Sequence, residues 1–200
     1  MKLSSVFNRK TLLSTILVSG GILSNMSIAA VPDGKISFIG SIRDATCIIE
    51  GGNTEGGATT KNNFTVNMPV ANVADFRKIN DRAGSTSFFI RLKGENCLAG
   101  EGYAIKFESL NNAEFIDTAT GYLRNMKEDG NGGAKGVQLV ITDEVDNDFD
   151  FKKAENISPK KTRVENQDTQ FDFTVNYISI KENVAPGAVE GNLLYSVVYP

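Results

Sequence analysis

Apolar residues recur at every second position along most of this chain, and no segment carries a convincing helical stripe. Period-two alternation belongs to strands with one buried face, because successive side chains of a strand point to opposite sides. Lys35–Ile42 places Ile36, Phe38, Gly40 and Ile42 on one face. Phe64–Val70 reads as a short strand ended by Met68-Pro69, and Ser87–Lys93 as a strand leading to Cys97. Tyr103–Ser109 alternates again, and Val137–Thr142 follows a turn-rich connector at Glu128–Gly136. Phe171–Ile180 aligns Phe171, Phe173, Val175 and Tyr177, and the final segment aligns Leu193, Tyr195, Val197 and Tyr199. Between these segments lie Gly, Asn, Asp and Pro clusters that mark turns. Gly51–Asn63 reads as a loop, Ala71–Gly84 as a mixed stretch with room for a helical turn, and Val184–Gly191 as a Pro/Gly turn. Seven or eight short strands with such punctuation predict an all-β sandwich with Greek-key connections.

The first 29 residues stand apart from that pattern. Lys2, Arg9 and Lys10 precede a mostly apolar run, Thr11–Leu23, and Ser27-Ile28-Ala29 offers small residues around a cleavage point. This reads as an export signal covering 1–29, cleaved after Ala29 or, as second choice, after Ala30. A membrane anchor is the other reading, but the apolar run falls short of the ~20 residues a spanning helix needs. Removing three basic residues and no acid takes the formal charge from −3 to −6. In an oxidising compartment two cysteines in one chain read as a disulfide, Cys47–Cys97. Closing a loop of about 51 residues is worth roughly 4 kcal/mol on the chain-entropy model.

Composition narrows the chemistry. The chain has no His and only two Cys. It therefore carries no Ser-His-Asp triad, no Cys-His dyad, no His-ligated zinc or haem, and no four-Cys metal site. A mildly acidic balance gives no reason to expect nucleic acid as a partner. Asp143, Glu144, Asp146, Asp148 and Asp150 form an acidic run. Its Asp-x-Asp-x-Asp start matches an EF-hand loop, but the central Gly and terminal Glu are absent, so a solvated turn is the expectation. Gly51-Gly52 and Gly56-Gly57 are followed by no Gly-Lys-Ser/Thr and make no phosphate loop. Neither an enzyme nor a bound cofactor is expected.

Several segments together resemble one family. Gly34–Cys47, with its alternating Ile36, Phe38, Gly40 and Ile42, resembles the N-terminal arm and first cysteine of chaperone–usher fimbrial subunits, the pilins of type 1 and P pili. Ala83–Cys97 is similar to that family's second-cysteine segment, and Gly136–Thr142 to one of its strands. Phe171–Pro200 resembles its last two strands, with Gly187 fourteenth from the end and Tyr199 penultimate.

The resemblance implies an immunoglobulin-like Greek-key sandwich that lacks one strand and is completed by donor-strand exchange. It divides the chain into a signal peptide (1–29), a donor arm (30–44) and a pilin domain (45–200). Ile36, Phe38, Gly40 and Ile42 become the donor residues. Gly187, Leu193, Tyr195, Val197 and Tyr199 become the acceptor groove and chaperone-recognition C-terminus. The implied partners are neighbouring subunits, a periplasmic chaperone and an outer-membrane usher. The implied destination is the cell surface, reached through the periplasm, where the fibre supports adhesion. The alternatives are a minor adaptor or anchor subunit of the same fibre, and a monomeric secreted β-sandwich that binds a ligand.

Overall fold

The computed structural model describes residues 47–53, 57–59, 62–109 and 114–200. The expected signal peptide and arm, including Ile36, Phe38, Gly40 and Ile42, lie outside them. The described residues belong to one compact unit, Arg43–Pro200. Eight strands are found among them: β1 (Ile48–Asn53), β2 (Gly57–Thr59), β3 (Arg82–Lys93), β4 (Gly102–Phe107), β5 (Val137–Thr142), β6 (Lys161–Thr162), β7 (Thr169–Ser179) and β8 (Tyr195–Val198). They form a five-stranded sheet in the order β2-β1-β3-β7-β5 and a three-stranded sheet in the order β6-β4-β8. Every strand pair is antiparallel. The all-β expectation is met.

Alternation builds the core between the two sheets. Phe88, Ile90 and Leu92 of β3 and Phe171, Phe173 and Val175 of β7 face inward and are buried. Tyr103, Ile105 and Phe107 of β4 meet them from the smaller sheet. Phe107 stands edge-on to Phe149 at 4.9 Å and to Phe173 at 5.1 Å. Such rings prefer tilted packing because each has a negative face and a positive edge. Phe149 and Phe151 border the acidic run yet belong to the core. The acids around them are held in the turn: Asp148 forms a bidentate pair with Arg82, and Asp143 accepts from the N–H groups of Val145 and Asn147.

The structure corrects two segment readings. Gly51–Asn53 is not loop but the end of β1, and Gly57–Thr59 pairs with it as β2. Glycine is required at Gly51 because the Phe64 ring lies on it, and a Cβ there would stand 2.3 Å from that ring. A Gly inside a strand often marks such a close approach. Phe64–Val70 is extended but pairs with no strand among the described residues. The stretch Ala71–Gly84 holds a single 3-10 turn, Val73–Asp75, closed by a reciprocal cap between Asn72 and Asp75.

The sheet edges are treated unequally. β5 is buried throughout, and its outer edge is covered. Leu123 and Leu139 exchange backbone hydrogen bonds at 2.9 and 3.0 Å, and the Phe149 N–H donates to the Ile141 carbonyl at 2.9 Å. β8 pairs with β4 on one side, and no described strand pairs with it on the other.

Candidate functional site

An open groove of ≈ 1320 Å³ runs along that side of β8, where no described strand pairs with it. One wall is the chain from Val189 to Tyr199, and the other is the extended segment Asn62–Met68. Both walls alternate. Phe64, Val66 and Met68 are half-buried while Thr65 and Asn67 are exposed; Val189, Leu193, Tyr195 and Val197 are half-buried while Glu190, Leu194 and Ser196 are exposed. The inward residues of both walls pack against the buried core without being covered themselves. The floor is made by core residues of both sheets, among them Ile90, Phe107, Leu139, Ile141 and Val175. Leu139 comes so close to Gly191 that a Cβ there would stand 2.6 Å from its Cδ1.

The far wall is pinned by polar contacts. The Asn53 side-chain amide donates to the Asn67 carbonyl at 3.0 Å, and the Tyr177 hydroxyl donates to the Pro69 carbonyl at 3.2 Å. The Tyr195 hydroxyl reaches from one wall to the other and donates to the Asn62 carbonyl at 2.7 Å. Its ring lies 6.1 Å from that of Phe64. Burial pushes the Tyr177 and Tyr195 hydroxyls above their usual titration range, so both remain neutral donors at physiological pH.

Leu193, Tyr195 and Val197 are therefore brought together in one groove wall. Tyr199 also borders the groove, at the end nearest the disulfide. Its ring stands edge-on to Tyr103 at 5.7 Å, and its hydroxyl receives the Cys47 N–H. Gly187 is placed elsewhere. It lies against the Gly132–Ala134 backbone, where a Cβ would sit 2.3 Å from the Ala134 nitrogen. The flanking Ala188 exchanges hydrogen bonds with Gly132 and Ala134. Cys47 and Cys97 are joined, with Cα atoms 4.5 Å apart. The wall residues Phe64, Val66 and Met68 were not among the expected site residues. Their signal was present as alternation, but alternation does not say whether a strand is paired.

Such a groove suits an extended peptide. Its floor is apolar, its walls alternate with the period of a strand, and among the described residues no strand pairs with β8 on this side. The described residues that line it include no Lys or Arg and a single carboxylate, Glu190.

The family model described as "Fimbrial protein" matches residues 36–200. The crystal structure of a Burkholderia pseudomallei antigen and type I fimbria protein superposes with a TM-score of 0.51 at 24% identity, covering 70% of this chain and 86% of that one. A subunit in a structure of a chaperone–usher pilus superposes with a TM-score of 0.50 at 14% identity, covering 86% of this chain and 99% of that one. At such identities the likeness is one of fold. No curated protein sequence matches the chain significantly.

Proposed function

The chain belongs to the fimbrial protein family, whose model spans residues 36–200, and on that premise we propose that it polymerises into a surface fimbria by donor-strand exchange. The arm of one subunit, residues 30–44, enters the groove of the next. Ile36, Phe38, Gly40 and Ile42 face its floor, and the arm backbone pairs with β8. The groove carries this reading: it has strand periodicity on both walls and no strand of the described domain between them. Burying each large apolar side chain of the arm contributes roughly 1.5–3 kcal/mol, and the backbone ladder adds to that.

An unfilled groove exposes core side chains and a bare strand edge, which invites aggregation. A periplasmic chaperone therefore lends a strand after export, and an outer-membrane usher exchanges it for the next subunit's arm. The cell-surface fibre that results supports adhesion. The disulfide joins Cys47, just before β1, to Cys97 in the turn that follows β3.

The test uses the mature chain expressed without a chaperone. It should be poorly soluble, and a synthetic peptide of residues 34–45 should restore a soluble, cooperatively unfolding species. A chain lacking residues 30–44 that is a stable monomer without any added strand would sink the reading.

A further inference from the structure

The strand registers define two poles. Cys47, the end of β3, the start of β4 and the end of β8 lie at one; the start of β3 and the end of β7 lie at the other, and β1 and β8 have their opposite ends directed towards it, level with the middle of β3. The disulfide pole carries exposed apolar side chains. Ile48, Leu98, Val164 and Tyr199 are each at least 39% exposed. Contacts tie them to one end of the domain. Ile48 packs over Gly94, whose carbonyl accepts from Arg163, the neighbour of Val164; Tyr103 donates to the Leu98 carbonyl and meets the Tyr199 ring. At the opposite pole Val70 is fully exposed, with Val73 at 39% and Ile79 at 47%. That loop is fastened to the end of β7, where the Asn80 N–H donates to the Ser179 carbonyl at 2.8 Å.

We propose that these two poles dock on each other between consecutive copies of this chain, so that the arm is seconded by a body-to-body contact. The inference rests on the strand-exchange reading. Only four residues, Arg43–Thr46, separate Ile42 from Cys47. At no more than ~3.6 Å per residue, a domain whose arm lies in a neighbour's groove has Cys47 within about 18 Å of Ile42. An arm that runs antiparallel to β8, as every strand pair among the described residues does, leaves the groove at the pole of Met68, Val70 and Val189. The disulfide pole of the donor therefore faces the Val70 pole of the acceptor. The contact is head to tail, and such an interface grows an open filament rather than a closed ring. Apolar patches at both poles gain from leaving water together.

The test is made on fibres sheared from cells that express the full chain. Leu98→Glu with Val164→Glu should reduce fibre yield and mean length at least about fivefold, the ratio for roughly 1 kcal/mol lost per contact. Ile157→Glu, equally exposed but on the flank beside Lys106, should leave both unchanged. Adding Val70→Lys to the two glutamates should recover most of the loss. Leu98→Ser, a milder exchange, should move in the same direction with peptide-bound unfolding unaltered. Unchanged fibres in the double variant, an equal loss in Ile157→Glu, or no recovery with Val70→Lys would each overturn the pole contact. A wild-type chain that forms no fibres would instead overturn strand exchange itself.

Discussion

Glu50 on β1 lies opposite Arg91 on β3, and its carboxylate is paired to Arg91 at 2.9 Å and to Lys93 at 3.1 Å. The Lys93 hydrogen bond, with the charges of both cations, outweighs burial and holds the Glu50 carboxyl below its ordinary range. A depressed carboxylate stabilises the fold fully above its unfolded value of about 4.3, and that contribution is lost as pH falls through the lower folded value. Glu50→Gln should therefore cost about 1–2 kcal/mol at pH 7, discounted because both cations are nearly a third exposed. The difference from wild type should shrink towards zero near pH 3 in thermal unfolding of the peptide-bound chain. A constant difference across that range would point to packing rather than charge. None of this was legible in the sequence, since Glu50 is separated from both cations by the whole length between β1 and β3. Only the register of the two strands makes them neighbours.

At the scale of elements, the segment Phe64–Met68 shows why a local pattern stops short of a site. Its alternation is plain, and it forms an extended stretch, yet it is a groove wall rather than a paired strand. The wall stands where it does because Phe64 rests on Gly51 of β1. Gly51→Ala should push that ring towards the groove, since its new Cβ would overlap the ring. The expected outcome is a peptide affinity weakened by about tenfold, equivalent to ~1.4 kcal/mol, measured by titration with the residue 34–45 peptide. An unchanged affinity would mean that the ring has another place to go. Reading Gly51–Asn63 from composition suggested a loop. Gly51 serves instead to let the Phe64 ring lie against a strand, and composition does not distinguish these two uses of glycine. Gly187 carries the same lesson, its place being set by the Gly132–Ala134 backbone rather than by the groove.

For the whole molecule, the strand-exchange proposal puts the arm and the groove that receives it in different copies, so one substitution should separate folding from polymerisation. Gly40→Arg should abolish sheared fibres while the subunit still copurifies with a periplasmic chaperone, because on that proposal the arm serves a neighbour's groove. Normal fibres from that variant would overturn the register in which Gly40 faces the floor. The two-residue period and the turn residues between strands determined the all-β architecture from the sequence, because side-chain alternation is a property of each strand alone. A count of two, read with the expectation of export, predicted the cysteine pairing that the structure shows. The tertiary structure decided the rest: that β5 has its outer edge covered while no described strand pairs with β8 on its groove side, that Phe64, Val66 and Met68 face Leu193, Tyr195 and Val197, and that Ile48, Leu98, Val164 and Tyr199 lie at one end and Val70, Val73 and Ile79 at the other. Those outcomes depend on which distant strands pair and in what register, and a pairing between segments is written in neither segment by itself.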